Sequence, residues 1–147
     1  MNTKVIALLI SAISIPAQAF GIFDNYTLSK EVVRLSFIKV KPNKIDEYLE
    51  GISQTRVADC NIQKKLGSVI QCAFYLDTNI ANRSWNLVIQ EIVPSAASQD
   101  PDEKRYRAYQ ADLKQLMDES KRTKLVANYE LLRDQVDEAD FRIVQFK

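Results

Sequence analysis

The sequence predicts an α+β domain in which one antiparallel sheet carries its helices on a single face. Three observations predict it. Four short runs are rich in β-branched and aromatic residues, and two longer stretches repeat apolar residues at helical spacing. Proline, glycine and asparagine punctuate the boundaries, and the runs alternate as β-α-β-β-α-β.

Residues 20–31 form a polar lead-in with no clear period. The run VVRLSFIKV at 32–40 predicts the first strand, and Lys41, Pro42 and Asn43 stop it. Asn43 is the expected N-cap of a helix whose Ile45, Tyr48, Leu49 and Ile52 recur on one face. The helix continues less cleanly through Val57, Cys60 and Leu66 to Gly67, which suits the residue after a helix end.

Residues 68–76 (SVIQCAFYL) predict the second strand, 77–82 a turn-rich hairpin connection, and 84–93 (SWNLVIQEIV) the third strand, ended by Pro94. Ser98 or Asp100 can cap the next helix, with Pro101 near its first turn. From 102 to 134 the chain has helical character. Tyr106, Tyr109, Leu113, Leu116 and Met117 make one stripe, and Val126, Tyr129 and Leu131 or Leu132 make a second. The polar interval 118–124 is the candidate break between them. FRIVQF at 141–146 alternates again as the fourth strand. This order is the split-βαβ, ferredoxin-like arrangement, a four-stranded antiparallel sheet. With no linker, repeat or low-complexity tract, residues 32–147 read as one domain.

Alternation along the strands sorts the sheet faces. Leu35, Phe37, Ile70, Cys72, Phe74, Leu76, Trp85, Leu87, Ile89, Phe141 and Ile143 form the apolar set expected under the helices. The other set is Arg34, Ser36, Ile38, Gln71, Ala73, Tyr75, Asn86, Val88, Gln90, Arg142, Val144 and Phe146. It mixes hydrogen-bonding and apolar groups, which suits a lined cavity or a sheet-to-sheet homodimer. A face covered by a loop or by the lead-in, or simply solvated, has the same appearance. The ligand-binding candidates are Arg34, Ser36, Gln71, Tyr75, Asn86, Gln90 and Arg142, toward a small apolar or anionic molecule. Arg34 or Arg142 can pair with a carboxylate or phosphate, and each can equally serve an edge salt bridge.

Residues 1–19 read as a secretory signal peptide: Lys4, an apolar run at 5–15, and Ala17-Gln18-Ala19 at the cleavage positions. The run is about half the ~20 residues a membrane-spanning helix needs. A bacterial-type signal implies a periplasmic or secreted protein beginning near Phe20, with no membrane span after cleavage. Removing the segment takes Lys4 and no acid, so the formal charge falls from +1 to zero. A neutral chain lacks the basic face that nucleic acid or an anionic membrane demands. In an oxidising compartment Cys60 and Cys72 predict a disulfide rather than a redox pair, which favours Cys-x-x-Cys spacing. The chain has no histidine, which excludes a Ser-His-Asp triad and a histidine-ligated haem within it. Asp134, Asp137, Glu138 and Asp140 match no calcium-loop spacing. No metal, cofactor or catalytic residue is predicted. The sequons at Asn25 and Asn82 matter only in a eukaryotic source.

The opening VVRLSFIKVKPNKIDEYLEGI resembles that of dimeric α/β-barrel proteins of the antibiotic-biosynthesis-monooxygenase type. There a first strand ends in a Val-Lys-Pro-Gly-Lys-like turn and leads into an Asp-Glu-Tyr/Phe-Leu helix. Here the turn is Val40-Lys41-Pro42-Asn43-Lys44 and the helix carries Asp46-Glu47-Tyr48-Leu49. The resemblance implies a homodimer whose two sheets form a barrel around ligand cavities. The haem-degrading members use an Asn, Trp and His set, which a chain without histidine does not reproduce, so no catalytic residue carries over. Three functions follow: an exported, non-catalytic small-ligand-binding or accessory protein, a cofactor-free oxygenase or isomerase, and an envelope protein-interaction factor. The last is motivated by the charged segment 100–137.

Overall fold

The computed structural model describes residues 25–79 and 83–147. The expected signal peptide, the first part of the lead-in, and residues 80–82 with Asn82 lie outside the described residues. The rest of the lead-in holds a short strand, β1 (Tyr26–Leu28), and β2 (Val32–Val40) follows as predicted.

The turn after β2 corrects one expectation. Lys44 N donates to Lys41 O at 3.1 Å, and Asn43 has φ 60°. That is a turn with proline at its second position and a left-handed third, which asparagine tolerates where glycine is usual. Asn43 therefore shapes the turn and does not cap α1 (Ile45–Gln54). The single long helix expected here is two, α1 and α2 (Arg56–Lys65). The Thr55 hydroxyl donates to Gly51 O at 2.9 Å, a local bond that competes with straight helix. Gly67, at φ 70°, ends α2 as predicted. Ser68 N reaches Gln63 O and Gly67 N reaches Lys64 O, which satisfies two terminal carbonyls.

Strands β3 (Gln71–Leu76) and β4 (Leu87–Val93) are shorter than the runs that predicted them. A short 3₁₀ helix, Ala96–Gln99, follows, capped reciprocally by Ser95 and Ser98. Helix α3 (Glu103–Leu116) is capped by Asp102, not by Ser98 or Asp100: its carboxylate accepts from Arg105 N at 2.8 Å. Helix α4 (Glu119–Glu130) starts immediately after Met117 and Asp118, so the break is two residues and not the whole interval 118–124. Asp118 accepts from Ser120 N and Lys121 N.

The last strand lies earlier than predicted. β5 (Arg133–Phe141) pairs antiparallel with β2, and the carboxylates expected before the final strand lie within it. Its sequence, RDQVDEADF, is a poor strand former, but β2 offers a free edge, and edge strands tolerate charge. Asp140 sits opposite Arg34 across that ladder. Beyond it, β6 (Val144–Phe146) leaves the sheet and pairs with β1 in a two-stranded ribbon.

The main sheet has the order β3-β4-β2-β5, every neighbour antiparallel. With the helices filling the two crossovers this is the ferredoxin-like α+β fold. Ile38, Val40, Leu87 and Ile89 pack under Tyr48 and Ile52 of α1 and Tyr129 of α4. The Tyr48 and Tyr129 rings meet edge to face at 5.7 Å. A second cluster joins Val32, Val69 and Val93 to Cys60, which is bonded to Cys72 as predicted. The bridge ties α2 to β3 across a 12-residue separation. Among the described residues no helix is long and apolar enough to cross a membrane.

Candidate functional site

Residues directly opposed across a ladder share a face, so the register fixes what the sheet turns away from its helices. Ile38 and Val40 face the helices, as Leu87 and Ile89 do. The intervening Val33, Leu35 and Phe37 therefore line the other side, opposite Ile92, Gln90 and Val88 of β4. Ala73 and Tyr75 oppose Gln90 and Val88 from β3, and Phe141 opposes Val33 from β5. This face is mostly apolar, and no described helix covers it. Tyr75 is 51% exposed and Phe141 49%.

Within the face is a hollow of about 400 Å³, lined by Leu35, Phe37, Tyr75, Leu76, Asp77, Trp85, Val88 and Gln90. The Trp85 and Phe37 rings lie 5.5 Å apart, and the Arg83 guanidinium sits 5.0 Å from the Trp85 ring. Arg83 also approaches Asp77 at 3.6 Å, forming a charged rim. The Tyr75 hydroxyl donates to Gln90 Oε1 at 2.8 Å. That bond leaves the Gln90 amide nitrogen as a donor set in apolar walls. A few placed polar groups in an apolar hollow orient a ligand without reacting with it.

Of the ligand candidates, Gln71, Tyr75 and Gln90 stand on this face, and Tyr75 and Gln90 meet. The others do not join them. Arg34 and Ser36 point to the helix side, because Val32, Ile38 and Val40 set the phase of β2. Arg34 there grips Asp140 through Nε at 3.0 Å and Nη2 at 3.2 Å, with Glu138 at 3.5 Å. This is the edge salt bridge, and these carboxylates hold its pKa above the usual arginine value. Asn86 is bound to backbone: Oδ1 accepts from Val40 N at 2.7 Å, and Nδ2 donates to Val40 O at 2.9 Å. Arg142, beyond β5, donates to Ser29 O at 2.7 Å and secures the chain ends. Val144 and Phe146 belong to the ribbon and Ile38 to the core.

The reading by sequence placed Leu35, Phe37 and Trp85 under the helices, and these are the residues that make the exposed hollow. The cause lies in VVRLSFIKV, which is apolar in both phases. The buried phase is the one of Val32, Ile38 and Val40, and Val33, equally β-branched, stands on the open side.

No family model and no curated protein sequence matches the chain. Among solved structures, HapK from Hahella chejuensis is 18% identical, with a TM-score of 0.47, covering 75% of this chain and 90% of its own. A dimeric protein of unknown function and ferredoxin-like fold from Bacteroides fragilis is 12% identical, with a TM-score of 0.43 and coverages of 80% and 98%. SnoaB, a cofactor-independent oxygenase from Streptomyces nogalater, is 9% identical, with a TM-score of 0.40 and coverages of 77% and 92%. At such identities no residue role carries across, and the chemistry of the face rests on its own residues.

Proposed function

We propose that this chain is an exported, non-catalytic small-ligand-binding protein that acts as a homodimer. The two sheets pair face to face, and the hollow beside Tyr75 and Trp85 becomes an enclosed cavity for a small, partly apolar molecule. The observation that carries the reading is the uncovered apolar sheet face. A second copy of the same face buries Phe37, Val88 and Phe141 together, as a two-fold interface requires. The Gln90 amide remains to bond a ligand. The Cys60–Cys72 bridge supports the export part, since disulfides persist in oxidising compartments.

Native mass spectrometry of the protein isolated from its own host tests this. The expected spectrum has two chains, each beginning near Phe20, carrying a small non-covalent mass that Gln90→Leu releases. A monomer with no adduct overturns the reading. Oxygen uptake with phenol or quinol substrates would replace it with a cofactor-free oxygenase.

A further inference from the structure

A larger hollow than that on the sheet face lies elsewhere, between the end of α2, the 3₁₀ helix and the start of α3. It measures about 630 Å³, within the range of small-molecule sites. Its apolar surfaces include Leu66 and Pro101 and the rings of Tyr106 and Tyr109. Tyr106 is 62% exposed, which is unusual for an aromatic on a helix with a core to join.

Two lining side chains are held by a residue behind them. Asp59 of α2 is buried at 8% exposure. It accepts from the Tyr109 hydroxyl on Oδ1 and from Gln63 Nε2 at 3.1 Å on Oδ2, with Arg56 at 3.8 Å. Burial and this carboxylate push the Tyr109 hydroxyl up to about 12. Both groups are thus fixed with donors turned away from the hollow and with the Gln63 carbonyl still able to accept.

The same bias holds for Arg105 and Ser98, while Gln99 differs, its Oε1 accepting from Arg34 Nη1 at 3.4 Å. Arg105 donates its guanidinium to Asp100 O and its backbone N–H to Asp102. The Ser98 hydroxyl donates to Ser95 O. Meanwhile the carboxylates of Asp100, Asp102 and Glu103 stand at the mouth against Arg105 as the one lining cation. The Tyr109, Gln63, Arg105 and Ser98 donors are thus engaged. Asp102 uses one oxygen for its cap and Glu103 one for Arg107, which leaves their second oxygens, the Asp100 carboxylate and the aromatic faces. A ligand complementary to that brings donors, positive charge and an apolar body.

We propose that this groove is a second binding site, selective for a small organic cation of the aryl- or alkyl-ammonium class. The ammonium sits among the mouth carboxylates, and its apolar body lies against Tyr106 and Tyr109. Asp59 is a positioning residue that sets Tyr109 and Gln63. The site is separate from the sheet face and does not depend on that reading.

The test is an amide NMR titration of the full mature protein with benzylamine, benzyl alcohol and benzoate at one ionic strength. Benzylamine should shift Gln99, Tyr106 and Tyr109 saturably, with a Kd below about 1 mM. Benzoate should bind at least about tenfold more weakly. Asp100→Asn should weaken benzylamine by about three- to tenfold, and Tyr106→Ala, at an exposed position, should weaken it without unfolding the chain. Phe37→Lys on the sheet face should leave the titration unchanged, so failure of the dimer reading is distinguishable. Shifts confined to other surfaces, equal binding of benzoate, or no saturable shift overturns the proposal.

Discussion

Replacing Asn86 separates a ligand-binding role from a structural one. Its side-chain amide behaves as an extra peptide unit at the start of β4. Asn86 N donates to Ile38 O at 2.9 Å, and then the side chain both accepts from and donates to Val40. Val40 is only 1% exposed, so water cannot readily take over these bonds in Asn86→Ala. Two hydrogen bonds contribute about 1 kcal/mol each, and leaving a buried backbone pair unsatisfied costs further, so the variant should lose about 2–4 kcal/mol. Asn86→Asp keeps the acceptor but sets a carboxylate oxygen against Val40 O. Its loss should be as large at neutral pH and smaller in acid, where a protonated carboxyl can donate. Urea unfolding with the Cys60–Cys72 bridge intact, at fixed protein concentration, reads both. A loss below about 0.5 kcal/mol in Asn86→Ala would refute the ladder role.

Two further outcomes follow from the helix layer. In Gly51→Ala the new Cβ would lie 3.1 Å from Tyr129 Cβ and Cδ1. The gain of about 1 kcal/mol in helix propensity is therefore offset by displacement of a buried ring, and a net loss of about 1 kcal/mol in urea unfolding is expected. Tyr109 links stability to alkaline pH. Its folded pKa, about 12, lies above the ordinary tyrosine value of 10.0, so its contribution is complete below pH 10 and is lost as pH rises through 12. The urea midpoint of the wild type should fall more steeply between those values than that of Tyr109→Phe, and equal slopes would contradict the Asp59 bond.

The sequence made the framework legible because its signals are local. The stops at Pro42 and Pro94, the left-handed Gly67 and the even alternation of β3 and β4 each act within a few residues. Most of what escaped was set by distant partners. RDQVDEADF is a strand because β2 has an edge to fill and Arg34 stands opposite Asp140. The break at Thr55 escaped for a local reason, a side-chain hydrogen bond that periodicity does not register, whereas the break at Asp118 was legible in the polar interval. The phase of β2 was ambiguous because both of its faces are apolar, and that exchanged Arg34 and Ser36 for Leu35 and Phe37 at the candidate site. Tyr106 and Tyr109 look like a core stripe in sequence. Asp59, fifty residues from Tyr109, is what draws that hydroxyl inward.

The central claim is that a second copy covers the open sheet face, and the chain carries its own reporter there. Trp85 is the only tryptophan, half-buried beside Phe37. Iodide quenching of its emission, measured across a dilution series alongside sedimentation mass, reads coverage and assembly together. The account predicts a mass of two chains and a protected Trp85 at micromolar concentration. Both should be lost together on dilution and in Phe37→Lys. A single-chain mass, or a Trp85 equally quenched in wild type and variant, would contradict it.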